Sequence, residues 1–133
     1  MAEPRPDMRH NAIICIGSNA PDAMNRVENC IASLSAFLKV EASSSPYATT
    51  PAPPAPADGP DYANATISIT TDLSIHNLTA LLKETEKELG RIRGAESAGQ
   101  VAIDIDVVIY DGTVCRHSEF AADYFQKGYQ KIK

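Results

Sequence analysis

Tryptophan is missing from this chain, and all aromatic residues together make up 6% of its 133 residues. Proteins that read unpaired bases stack them on aromatic rings, so this scarcity excludes a base-stacking platform. Excess positive charge is missing too. The net charge is -5, which argues against a phosphate-backbone binder and leaves no nucleic acid among the expected partners. Near the N-terminus the longest apolar run, residues 12–16, is too short for a signal h-region or a membrane span. The three cysteines, Cys15, Cys30 and Cys115, show no CxxC or Cys/His spacing, so neither a disulfide framework nor a structural zinc site is expected. Cys15 and Cys30 read as small core residues, and His10, His76 and His117 as solvated surface positions. These absences describe a reduced, cytoplasmic protein with no membrane contact and no predictable protein partner.

The residues present build one domain over 1–133, with 1–10 a flexible N-terminus and 49–60 a proline-rich loop. Ala12-Ile13-Ile14-Cys15-Ile16 is a continuous apolar strand ended by Gly17-Ser18-Asn19. A helix is expected next, capped at Asn19 or Ala20 with Pro21 in its first turn, burying Met24, Val27, Ile31, Leu34 and Leu38. A second strand falls within Val40–Tyr47. Residues 64–73 alternate cleanly, with Ala65, Ile67, Ile69, Thr71 and Leu73 on one face. Ser74 then caps a second helix that buries Leu78, Leu81, Leu82 and Leu89 and stops at Gly90. After a loop, Ile103 to Tyr110 form the last core strand. The βαββαβ order is an α+β, ferredoxin-like arrangement: an antiparallel sheet with two helices on one face.

Within that last strand, Asp104 and Asp106 lie two residues apart, so both carboxylates leave the same face, roughly 6.5 Å apart along the chain. Two carboxylates beside an apolar core repel each other and lose hydration. A divalent cation with a preference for hard oxygen ligands, such as Mg²⁺, compensates both effects. The plainer alternative is the solvated face of an edge strand.

Five segments, in order, resemble the 6-hydroxymethyl-7,8-dihydropterin pyrophosphokinase family. They are Ile16-Gly17-Ser18-Asn19, Tyr47-Ala48-Thr49-Thr50-Pro51, Pro60-Asp61-Tyr62-Ala63-Asn64-Ala65, Glu86-Lys87-Glu88-Leu89-Gly90-Arg91-Ile92-Arg93 and Ile103-Asp104-Ile105-Asp106. The resemblance implies transfer of a pyrophosphoryl group from ATP to the hydroxymethyl group of a reduced pterin, with AMP released. It assigns two Mg²⁺ ions to Asp104 and Asp106. Two metals bridge phosphates and neutralise developing charge, and phosphoryl transfer chiefly demands such positioning and charge stabilisation. The same resemblance gives ATP and its phosphates to Glu86, Arg91 and Arg93, with both arginines counted as catalytic. Asn64 becomes the reader of the pterin edge, Tyr62 its neighbour in the pocket, Thr50 and Pro51 backbone contacts, and Gly17 and Ser18 the floor.

The chain also departs from that family. Where the family carries an Arg-Trp-Gly-Pro-Arg-like run, Ser97-Ala98-Gly99-Gln100-Val101 stands here, so both arginines and the tryptophan are replaced. Each lost phosphate clamp is expected to cost on the order of 10²-fold in rate. At the C-terminus the chain reads as short. No histidine stands at the family's place, and Phe125 or Tyr129 is expected to replace the aromatic that covers the pterin. Arg116 and Lys127 are the cations expected to replace the clamps. Two functions follow: a weakened pterin pyrophosphokinase, or a non-catalytic pterin- or nucleotide-binding paralogue that kept the fold.

Overall fold

The computed structural model describes residues 10–51, 58–92, 94–97 and 99–133, with backbone alone at 95 and 96. Arg93, Ala98, the first nine residues and positions 52–57 of the proline-rich loop lie outside the described residues. The elements are β1 (His10–Ser18), α1 (Ala23–Ser35), β2 (Lys39–Ser43), β3 (Tyr47–Thr49), β4 (Tyr62–Thr71), α2 (Ile75–Glu88), a 3₁₀ turn (Gly94–Ser97), β5 (Asp104–Tyr110), β6 (Thr113–Val114), α3 (His117–Ala121) and α4 (Asp123–Ile132).

Six strands form one antiparallel sheet in the order β2-β4-β1-β5-β6, with β3 also paired to β4. β1 and β2 therefore run parallel with β4 between them, and β4 and β5 run parallel with β1 between them. That double split βαβ is the expected ferredoxin-like arrangement. Even-numbered residues of β1 (Ala12, Ile14, Ile16) and odd-numbered residues of β4 (Ala65, Ile67, Ile69) meet α1 and α2 in the larger core. The α1 stripe is Ala23, Val27, Cys30 and Leu34, whereas Met24, expected inside, is 46% exposed.

Three local departures have physical causes. The expected strand over 40–47 is two strands, β2 and β3. Between them Ser44 takes both backbone groups of Thr66, through its own N–H and its hydroxyl at 2.9 Å each, and Pro46 offers no N–H. α1 begins at Ala23, later than expected, because the Asn19 amide is committed elsewhere: it donates to the Gly99 carbonyl at 3.2 Å and accepts from the Val101 N–H. His10 is not free in solvent. Its Nδ1 lies 2.7 Å from Asp111 and its ring stacks on Tyr110. Elsewhere the turn chemistry holds: Ser74 Oγ accepts the Asn77 N–H, and Gly90 follows α2 at φ 98°.

The tail after β6, which carries little apolar pattern, builds a second layer. α3 and α4 cover the sheet face opposite α1 and α2, where Phe125 is fully buried against Ile13, Cys15 and Val108. Burial of that ring contributes about 2–3 kcal/mol. Gly128 permits the close approach, since a Cβ there would stand 2.5 Å from Thr66 Oγ1 and 2.7 Å from the Tyr47 hydroxyl.

Candidate active site

Strand register assembles the site. Gly17 pairs with Asn64 of β4 on one side and with Asp104 of β5 on the other, so three strands put these residues in one row. The next row is Thr66, Cys15 and Asp106. Ile103, Ile105 and Val107 enter the α1/α2 core, so Asp104 and Asp106 leave by the opposite face. Two strand spacings separate Asn64 from Asp104, about 10 Å. Gly17 is required between them, because a Cβ there would fall 2.7 Å from Asn64 Oδ1. Asn64 itself is buried, and its Nδ2 donates to Thr49 Oγ1 at 2.6 Å. Tyr62 is half-buried beside Asp104 and Arg91. Burial first, and then the Asp104 charge, push its hydroxyl above the usual tyrosine range. Thr50 is exposed and Pro51 half-buried at the edge of the undescribed loop segment. Ser18 has a different task from a pocket floor. Fully buried, it donates to the Val101 carbonyl at 3.1 Å and accepts the Ala20 N–H at 3.2 Å, clasping the loop before β5.

From Asp104 to Val107 no strand pairs with the outer edge of β5 among the described residues, and side chains bond its backbone at Ile105 instead. Arg91 Nη1 donates to the Ile103 carbonyl at 3.1 Å. Glu86 Oε2 accepts the Ile105 N–H at 2.6 Å, and Lys83 Nζ donates to the Ile105 carbonyl at 2.9 Å. Unsatisfied edge groups invite pairing with other chains, so this seal also protects the sheet. The same lysine reaches Glu86 Oε2 at 2.8 Å and Asp106 Oδ1 at 3.0 Å, with Asp104 Oδ1 at 3.7 Å. Its ammonium thus lies among three carboxylates.

This geometry splits the aspartates. Burial, and next the Asp106 charge, push the Asp104 carboxyl up to about 7. Burial also opposes the charge on Asp106, but the Lys83 charge and hydrogen bond outweigh it and hold that carboxyl below its usual range. Lys83 is itself held above the ordinary lysine value, its Glu86 bond and the Asp106 charge overcoming desolvation. Glu119 of α3 joins the cluster. Its Oε1 accepts from Arg116 Nε at 2.9 Å and its Oε2 from the Tyr124 hydroxyl at 3.0 Å, and burial followed by the Asp106 charge raises its carboxyl.

Sequence reasoning missed Lys83 and Glu119. The available signal for Lys83 was its i, i+3 spacing from Glu86, one residue beyond the buried Leu82. Glu119 offered the same i, i+3 spacing from Arg116, but in a polar tail with no apolar pattern beside it to mark it as buried. Among the cations expected to replace the clamps, Arg116 does reach this region and Lys127 does not, since its Nζ lies over the Tyr47 ring. Phe125 cannot cover a ligand, being locked in the second core, and Tyr129 stacks on it at 5.2 Å. Arg91 keeps a polar atom in reserve: its Nε is buried and has no hydrogen-bond partner among the described residues. Beside the carboxylates, a cleft of about 160 Å³ runs between α2 and the segment after β6. Its walls are apolar at Leu82 and Val107, and charged at Lys83, Asp106 and Arg116.

The chain is similar to known proteins over most of its length. A family model described as 7,8-dihydro-6-hydroxymethylpterin-pyrophosphokinase matches residues 13–130. The 2-amino-4-hydroxy-6-hydroxymethyldihydropteridine pyrophosphokinase of Haemophilus influenzae is 28% identical over 116 residues, which are 86% of this chain and 71% of that protein. The Synechocystis protein of the same description is 31% identical over 107 residues, 79% of this chain and 53% of its own length. That of Methylorubrum extorquens is 33% identical over 103 residues, 76% and 63% respectively.

Proposed function

The chain belongs to the 7,8-dihydro-6-hydroxymethylpterin-pyrophosphokinase family, and from that premise we propose that it transfers a pyrophosphoryl group from ATP to the hydroxymethyl group of 6-hydroxymethyl-7,8-dihydropterin, releasing AMP, in folate synthesis. The observation that carries this reading is the row Asn64–Gly17–Asp104. A flat heterocycle fits over Gly17, with an amide at one side and the paired carboxylates at the other. Asn64 offers a donor and an acceptor to the ring edge, Tyr62 borders the pocket, and the backbone at Thr50 and Pro51 closes it. The small Gly17 permits the ring's close approach.

ATP enters by the neighbouring cleft, with its phosphates toward Arg116 and the adjacent Arg91; Arg93, which the resemblance gives to the same phosphates, lies outside the described residues. The Arg91 guanidinium, held beside Asp104 at 3.4 Å, is a cation for a phosphate oxygen, a charge-assisted bond that strengthens as charge develops. Glu86 is a positioning residue here, fixing β5 and Lys83 rather than touching the nucleotide.

The donor set fits Mg²⁺. Asp104 and Asp106 supply hard oxygens, and the Lys83 ammonium between them is a cation the fold already accommodates there. No group of three or more His, Cys, Asp or Glu arranged to hold a metal ion occurs among the described residues, so Asp104 and Asp106 would be the residues that hold the ions. When bound, two Mg²⁺ ions supply charge neutralisation at the phosphates and orient them for in-line displacement. The protein acts on small molecules, and among the described residues no helix is long and apolar enough to cross a membrane.

The test incubates the protein with ATP, Mg²⁺ and 6-hydroxymethyl-7,8-dihydropterin and follows AMP. AMP release above the protein-free control, lost in Asp104→Ala and Asp106→Ala, is the expected result. Wild type no faster than Asp104→Ala overturns the reading. Pterin binding by calorimetry without AMP release establishes the non-catalytic paralogue instead.

A further inference from the structure

The Lys83 ammonium has three protons and no acceptor. All three are spent, on Glu86 Oε2 at 2.8 Å, the Ile105 carbonyl at 2.9 Å and Asp106 Oδ1 at 3.0 Å, with Asp104 Oδ1 a further 3.7 Å contact. A divalent ion bridging Asp104 and Asp106 needs the same oxygens. It also brings two charges into the space where one charge already lies, and like charges at a few ångströms repel strongly in a partly desolvated site. Lysine and metal therefore exclude each other. The fold also provides a place for the displaced head group. The Lys83 side chain is 37% exposed, and it lines the cleft of about 160 Å³ that opens past Leu82 and Val107 toward Arg116.

We propose that Lys83 is a built-in competitor for the metal: its ammonium neutralises the carboxylate pair when no divalent ion is bound, and the arriving ion displaces it into the adjoining cleft. This rests on the metal role of Asp104 and Asp106 proposed above. The exchange links two binding events. Once displaced, the ammonium adds a cation to the wall of the nucleotide cleft, while Glu86 keeps its bond to the Ile105 N–H. Metal entry is thus opposed in the empty protein and favoured when phosphates are present to receive the released charge.

Direct metal binding tests the exchange without any turnover. Mn²⁺ binding to the nucleotide-free protein is followed by electron paramagnetic resonance for wild type, Lys83→Met and Asp106→Asn. Removing the competitor is expected to tighten Mn²⁺ binding about tenfold, the scale of one lost charge-assisted bond. Equal or weaker binding in Lys83→Met overturns the proposal. If wild type and Lys83→Met both bind no more Mn²⁺ than Asp106→Asn, the metal reading itself fails and this inference with it. Because Lys83→Met leaves three carboxylates closer to unpaired and lowers stability, a second measurement uses wild type alone. The lysine side-chain ¹³C–¹H signals are recorded by NMR while Mg²⁺ is added. Lys83 is expected to shift with the titration while Lys39 and Lys87 stay constant; an unmoved Lys83 signal under metal saturation overturns the exchange.

Discussion

Glu86 gives the sharpest test of the site's construction. Its side chain is 1% exposed, and Oε2 alone holds both the Ile105 N–H at 2.6 Å and the Lys83 ammonium at 2.8 Å. Truncation to alanine leaves the Ile105 N–H at the β5 edge without its acceptor, a cost of about 1–3 kcal/mol. The ion pair adds little more than ~0.5–1 kcal/mol, because the lysine head is partly solvated. Together Glu86→Ala is expected to lose about 3 kcal/mol, whereas Glu86→Gln keeps an acceptor of the same length and loses about 1 kcal/mol. With a urea slope of ~2 kcal/mol/M, the midpoints fall by about 1.5 M and 0.5 M respectively. Equilibrium urea unfolding followed by far-ultraviolet circular dichroism reads both. A midpoint drop below ~0.3 M in Glu86→Ala, or equal drops in the two variants, refutes the idea that this carboxylate fastens α2 to the strand edge. The same variants separate positioning from nucleotide contact: Glu86→Gln should leave the ATP KM within about twofold, since the lost charge faces Lys83 and the backbone.

Gly17→Ala forces a Cβ to 2.7 Å from Asn64 Oδ1. It should cost about 1–3 kcal/mol and, in calorimetric titrations, weaken pterin binding far more than nucleotide binding. Gly128→Ala meets Thr66 Oγ1 at 2.5 Å and should lower stability by a similar ~1–3 kcal/mol while raising hydrogen exchange across α4. Asp104 carries a pH signature. Its carboxyl lies near 7 in the folded protein and near 4 when unfolded, so the native state holds the extra proton between those values. Stability of the metal-free protein should therefore fall as pH rises from about 4 to about 7, and Asp104→Asn should flatten that slope in urea titrations across the range. The opposite contribution of Asp106 is lost only on further acidification, outside this window. Arg116→Gln should change stability by no more than ~0.5 kcal/mol, because its side chain is 55% exposed where it pairs with Glu119, yet weaken ATP binding about tenfold.

What the sequence made legible followed chain-local rules. Alternation in Ala65–Ile69 and Ile103–Val107 marked the strand faces, and with them the shared direction of Asp104 and Asp106. Ser74 and Gly90 marked the ends of α2 through hydrogen bonding and a positive φ that local sequence sets. Lys83 followed no such rule. On α2 it reads as an ordinary solvated lysine, and its importance arises because α2 lies along a stretch of the β5 edge, Asp104 to Val107, that no strand pairs with among the described residues. α4 stayed hidden for a related reason. Phe125 and Tyr129 are spaced four apart, but ten residues with glycine inside make a weak helix alone. It forms because Gly128 lets the backbone reach Thr66 and Tyr47, a tertiary fit that no local pattern carries. Ser18 and Asn19 likewise read as a turn, while in the fold they clasp Val101 and Gly99, 83 and 80 residues away.

The replaced arginines of the 97–101 segment acquire a different meaning once the cations are located. Val101 accepts from Ser18 and Asn19 through its carbonyl, so that segment serves as a clasp for the start of β5 and carries no charge into the site at Ser97 or Val101. Positive charge arrives from other directions: Lys83 from the face of α2, Arg91 from just beyond its end, and Arg116 from the turn after β6. Against them stand Asp104, Asp106, Glu86 and Glu119. Among the described residues, three cations against four carboxylates leave the metal-free cluster close to neutral, so it gains less from a divalent ion than a bare aspartate pair would. Phosphates change that balance, since they add negative charge on the cleft side, where Lys83 and Arg116 already line the wall. Under the exchange proposed above, a site neutralised from within takes up metal and nucleotide together more readily than either alone, and that coupling resides in Lys83 and Arg116 rather than in the 97–101 segment.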